Sequence, residues 1–207
     1  MAVVLFGGAG TLDWWQGWLF LLIYFAWSIG VSVWLARHDP ALFVRRMSGG
    51  PWAETHPAQK VIMTLMMVGF VALVFVPALD YRFGWSHAPV SLVIAGNALF
   101  SLGWLAIVLV FRENSFTATT VAIMPDQAVV TTGPYSIVRH PMYAGALFLL
   151  AGMPLALGSW WGLVALAVIL PVLVWRLLDE ERMLVRDLAG YAAYRQMVRY
   201  RLVPGIW

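Results

Sequence analysis

The chain has no cysteine and little charge. With no cysteine among its 207 residues, disulfides, thiolate nucleophiles and Cys-ligated metals are excluded. Charged residues make up 11% of the chain and hydrophobic ones 62%. Soluble domains run nearer 25% charged, so water is a poor main solvent for this protein. No lysine or arginine precedes Arg37. The first apolar run therefore lacks a basic n-region, and no small-residue cleavage site follows it, so a retained span is expected rather than a signal peptide. No internal repeat is visible. No apparent strand leads into a GxGxxG turn, so a Rossmann nucleotide fold is not expected.

What the chain does have is long apolar runs. Five stretches approach the roughly 20 residues that a helix needs to cross a bilayer: 14–36, 61–79, 89–111, 143–158 and 160–178. The predicted fold is an all-α integral membrane protein of about five transmembrane helices. Only Gly158 and Ser159 part the last two, which predicts a tight helical hairpin. The formal charge of +3 matters less than its placement. Twelve of the thirteen basic residues fall in 37–60, in 112–142 or from 176 onward, and only Arg82 lies in a loop of the other parity. By the positive-inside rule the N-terminus is expected outside and the C-terminus in the cytoplasm. Tryptophans at both ends of the spans, Trp14, Trp15, Trp18, Trp85, Trp160 and Trp161 outside and Trp34, Trp52, Trp175 and Trp207 inside, suit interfacial belts.

The two halves differ in kind. Residues 1–111 read as three plain spans. Residues 112–207 interleave spans with polar, Gly- and Pro-marked segments, in what is still a single structural unit. Ionisable groups in or beside a membrane are functional candidates, so chemistry is expected in the second half. Where the third span ends, Arg112-Glu113-Asn114 reads equally as a snorkelling helix end with an Arg–Glu pair or as a polar wall, with Asn114 the neutral donor and acceptor facing a cavity. In 127–145, Val129 to Thr132 favours an extended piece and Gly133-Pro134 a turn. Pro141 pushes His140 out of helical geometry and suits a first helical turn. Arg139 and His140 thus sit at a helix N-terminus, which favours an anion. Asp179-Glu180-Glu181 follows the fifth span against the basic trend of that side. Adjacent helical positions point about 100° apart, so only one of Glu180 and Glu181 is expected to face a pocket fully. The tail from Asp187 reads as an amphipathic interfacial helix with an apolar end returning to the membrane.

Taken in order, these residues resemble the isoprenylcysteine carboxyl methyltransferase family, which is related to phospholipid N-methyltransferases and more distantly to sterol reductases. The matching string is Asn114-Ser115-Phe116-Thr117, then Gln127, Val130, Gly133-Pro134-Tyr135, Val138-Arg139-His140-Pro141, Tyr143 and Gly145. It continues with Glu180-Glu181 after the hairpin and with Tyr191 and Tyr194 in the tail. The resemblance covers roughly residues 112–207, and the ending 199–207 is similar to that of bacterial members, which points to a bacterial inner membrane. It implies S-adenosylmethionine as methyl donor, with S-adenosylhomocysteine as product, held in a cytosolic pocket. Gln127, Val130, Gly133, Tyr135, His140, Tyr143, Glu180, Glu181 and Tyr194 are the implied cofactor-binding residues. Arg139, Glu181 and Asn114 are the catalytic candidates, with Arg139 and Asn114 nearer the acceptor. Arg139 would hold an acceptor carboxylate with two N–H bonds. The expected partners are membrane lipids and a lipophilic or lipid-modified substrate, without nucleic acid or metal. Two other readings compete. One is an NADPH-dependent reductase on the related fold, with Arg199 and Arg201 around the 2′-phosphate. The other is a non-catalytic membrane protein.

Overall fold

The structure is a computed structural model that describes every residue except Thr55, Ala122 and Pro125. Among the described residues it contains eight α-helices: α1 Ala2–Ala9, α2 Trp15–His38, α3 Pro40–Met47, α4 Pro57–Phe83, α5 Val90–Glu113, α6 Pro141–Ala156, α7 Trp161–Asp187 and α8 Tyr191–Met197. Short 3₁₀ turns stand at Pro51–Ala53 and Gly133–Ser136, and no strand occurs among these residues. The all-α expectation and the absence of a Rossmann fold hold.

Four helices, α2, α4, α5 and α7, are long and apolar enough to cross a membrane. The protein is a multi-pass membrane protein. The fourth expected span, α6, has 16 residues and so rises about 24 Å, short of the roughly 30 Å hydrocarbon core. The hairpin it makes with α7 is present. Its partner is longer than the apolar run implied, because α7 carries on past Leu178 to Asp187. Likewise α4 passes through Pro77 without ending there. Pro77 lies against Gly162, where a Cβ would come 2.9 Å from the proline Cγ. The glycine leaves room for the ring.

Local chemistry sets the helix ends. Asp39 breaks α2 from α3: its carboxylate accepts from Leu42 N at 2.9 Å, and Pro40 opens the new helix. Gly84 stops α4 in the left-handed region (φ 62°), returning its N–H to Asp80 O. His140 is non-helical (φ −124°, ψ 62°) and Pro141 starts α6, as the sequence predicts.

Helices α5 and α6 run antiparallel in backbone contact. Gly96 and Gly103 face Gly152 and Gly145 across the seam. A Cβ at Gly96 would lie 2.2 Å from Ala156 N, one at Gly103 2.8 Å from Gly145 O, and one at Gly152 2.6 Å from Phe100 N. Small residues replace hydrophobic driving force where helices meet in lipid. A second pair, α4 and α7, is joined at the far end by Asp80. This carboxylate is 1% exposed and accepts from Ser86 N (2.7 Å), Ser86 Oγ (2.6 Å) and Ser159 Oγ. Trp14, expected in the outer belt, is instead buried and stacked on Tyr81 with ring centres 5.0 Å apart. The short helix α1 and the ring of Phe6 fold over it.

Candidate active site

At the end of the bundle opposite Asp80 lies a cavity of about 740 Å³, within the size range of small-molecule sites. Its wall divides into two kinds of surface. One lobe is apolar, with Met63, Met66 and Phe70 from α4, Trp104 and Ile107 from α5, and Leu149 and Leu150 from α6. The other carries Asn114, Gln127, Tyr135, His140, Tyr143, Glu180, Tyr191 and Tyr194.

The polar lobe is assembled from four segments. The end of α5 supplies Asn114, whose Nδ2 donates to the Tyr135 hydroxyl (2.9 Å), while its Oδ1 accepts from Phe116 N (2.9 Å). The turn Gly133–Ser136 carries Tyr135. Gly133 has φ +55°, and a Cβ there would meet Glu113 Cγ at 2.6 Å, so both torsion and space favour glycine. The tail helix α8 brings Tyr194, which donates to Tyr135 O at 2.6 Å, and Tyr191, 3.4 Å from His140 Nε2. From α7 comes Glu180, which accepts from the Tyr143 hydroxyl at 2.5 Å. Burial pushes the Tyr135 and Tyr191 phenols well above their ordinary value and Tyr194 up to about 12. All three are therefore neutral donors near pH 7.

The adjacent acids of α7 part company. Glu180 faces the cavity. Glu181 turns away and is 4% exposed. It takes Arg139 Nε at 2.7 Å and Arg201 Nε at 2.8 Å, and lies 3.8 Å from His140 Nε2. The anion expected at the start of α6 is thus supplied by the protein itself. Arg139 is also changed in role: its Nη1 donates to Val198 O (2.9 Å) and Arg199 O (2.7 Å). With Glu181, these bonds occupy most of the guanidinium that the sequence reading reserved for an acceptor carboxylate. Arg139 N and His140 N complete the clasp on Tyr200 O and Arg201 O, each at 2.9 Å.

Of the sequence-named residues, Asn114, Gln127, Val130, Tyr135, Arg139, His140, Tyr143, Glu180 and Tyr194 line the cavity, while Gly133 and Glu181 do not. Gly133 shapes the turn, and Glu181 orients the wall. Gln127 also braces its own loop by accepting from Met124 N (3.0 Å). Other local expectations are revised. Glu113 takes the Thr132 hydroxyl (2.8 Å) rather than pairing with Arg112. Residues 129–132 join no sheet, and Thr132 is extended (φ −99°, ψ 171°), in keeping with the expected extended piece. The tail is helical only over α8, and from Val198 onward it is the strap that clasps Arg139.

Sequence reasoning missed the contribution of the first half. Arg46, Trp52 and the α4 methionines line the cavity. Arg176 on α7 also faces it, joined to Glu54 (3.4 Å), Gln59 (3.4 Å) and Thr119 O (2.6 Å). The clue to Arg176 was available: it is an arginine inside the fifth apolar stretch. No local pattern marked Arg46, Trp52 or Glu54.

Together these features define a helical membrane protein with a two-lobed cavity at one end of the bundle, polar on one wall and apolar on the other. Residues 91–189 match the family model of the phospholipid methyltransferases. None of the curated proteins compared with the chain matches it. The matched stretch runs from α5 through α7 and holds Asn114, Tyr135, His140, Tyr143 and Glu180.

Proposed function

We propose that this protein is a membrane-embedded, S-adenosylmethionine-dependent methyltransferase acting on a lipophilic acceptor, a prenylcysteine-type carboxylate or a related lipid or small molecule. The observation that carries the reading is the two-lobed cavity. One space offers a polar wall for a water-soluble donor and an apolar wall for a lipid-borne acceptor.

The residues suit the donor. Glu180 is an acid in the cavity wall with no cationic side chain within 4.0 Å among the described residues, so it is available to an ammonium or to ribose hydroxyls. The Tyr135, Tyr191 and Tyr194 rings offer apolar faces to a base, and the Tyr135 hydroxyl, which accepts from Asn114, keeps its own proton to donate. His140 is held by Glu181 and Tyr191. When bound, the donor supplies an electrophilic methyl group on a sulfonium. The protein's task is then positioning the two reactants and placing charge around them. Glu180 stabilises positive charge, Arg139 and Glu181 hold the His140 wall in place, and the strap from Val198 clasps Arg139 and His140 from behind.

The competing reductase reading asked Arg199 and Arg201 to surround a dinucleotide phosphate. Neither lines the cavity, and Arg201 is engaged with Glu181 and stacked over Trp207 (5.2 Å). Calorimetric titration of the detergent-purified protein with S-adenosylmethionine, S-adenosylhomocysteine and NADPH tests the proposal. Saturable binding of the first two, weakened in Glu180→Gln, is expected. NADPH binding alone would overturn it in favour of the reductase.

A further inference from the structure

Arg46 sits on α3, outside the family-matched residues 91–189. It lines the cavity, with its guanidinium 5.0 Å from the centre of the Phe111 ring and Nη1 3.4 Å from Ala118 O. Among the described residues no carboxylate lies within 4.0 Å of it. The other two arginines in the wall have theirs: Arg139 pairs with Glu181 and Arg176 with Glu54. Burial and the nearby Arg176 lower the Arg46 pKa to about 10, which leaves it charged near neutral pH. A partly buried cation aimed into a cavity with no countercharge is costly unless a ligand completes it.

Its location decides which ligand. Phe111 packs with Ile107 and Trp104 in one cluster, and those two residues belong to the apolar lobe. Tyr135, Tyr191 and Tyr194 of the polar lobe belong to a separate cluster. Arg46 therefore stands where the apolar lobe meets the loop 114–121. We propose that Arg46 recognises an anionic group, a carboxylate or phosphate, at the head of an acceptor whose apolar chain fills the lobe between Met63 and Leu150. The inference rests on the methyltransferase reading and replaces Arg139 as the acceptor's anchor. It makes the acceptor an acidic amphiphile rather than a free lipid amine.

The test uses the full chain in lipid nanodiscs, with empty discs as the partition baseline. Radiolabelled hexadecanoate, hexadecanamide and hexadecylamine are compared as probes in wild type, Arg46→Met and Arg46→Lys, and S-adenosylhomocysteine is titrated in parallel. The acid is expected to bind about tenfold more tightly than the amide, the scale of one charge-assisted hydrogen bond. Arg46→Met should erase that preference, Arg46→Lys should keep most of it, and nucleoside affinity should stay within about twofold in both. Equal binding of acid and amide by wild type, or preference for the amine, would overturn the proposal. So would an Arg46→Met that loses nucleoside affinity while keeping its acid preference, since the cation would then serve the donor's carboxylate. Failure of wild type to bind the nucleoside, with the acid preference intact, would overturn the donor reading and leave the Arg46 site standing.

Discussion

Glu180 and Glu181 are neighbours in sequence with opposite tasks. The α-helix turns them about 100° apart, so one carboxylate enters the cavity and the other enters a cage of Arg139, Arg201 and His140. Their substitutions should separate accordingly. Glu180→Gln removes the acid that faces the ligand, and nucleoside affinity should fall roughly tenfold or more with little change in thermal midpoint, read by calorimetry and melting in the same detergent. Glu181→Gln leaves Arg139 buried without its charge partner, at a cost of about 3 kcal/mol, so its first sign should be a lower unfolding midpoint by circular dichroism. Part of that loss should return in the double variant Arg139→Met, Glu181→Leu, because an apolar pair needs no compensating charge.

At the scale of elements, the α5–α6 seam is the feature most sensitive to added volume. Gly152→Leu would drive a side chain into the α5 backbone, with Phe100 N 2.6 Å from its Cβ. Overpacking of this kind costs about 3 kcal/mol or more, and because both helices wall the cavity, ligand binding should vanish with the fold. Gly30→Leu on α2, where a Cβ meets nothing within 4 Å, should leave stability and nucleoside binding unchanged. Asp80→Asn, at the opposite end, should lower the melting midpoint by weakening charge-assisted bonds from Ser86 and Ser159 worth about 2 kcal/mol. Nucleoside affinity should survive, since this pin lies far from the cavity. Legibility followed the same division. Helix α6 was readable from His-Pro and the apolar run behind it. The length of α7 was not, because the polar last turns Asp179–Asp187 take their stability from packing and ion pairs that hydropathy does not see.

For the whole molecule, the absence of cysteine makes topology directly measurable. The charge parity of the loops predicts an outside N-terminus, so a single cysteine placed at Thr11 should react with an impermeant maleimide in sealed right-side-out vesicles. One placed at Arg195 should react only after permeabilisation. The reverse pattern would invert the assignment and put the cavity on the outer face. The membrane character, the helical class, the hairpin and most of the polar wall were legible in the chain, because hydropathy, charge parity and Pro or Gly positions act locally. Only the tertiary structure decided which of two adjacent acids meets the cavity, that Arg139 is held by Glu181, and that Arg46, Trp52 and Glu54 from the plain half join the site. Those outcomes depend on contacts between residues far apart in sequence, such as Arg139 with Glu181 and Arg176 with Glu54. A local pattern records the cost of burying each charge but not the partner that offsets it.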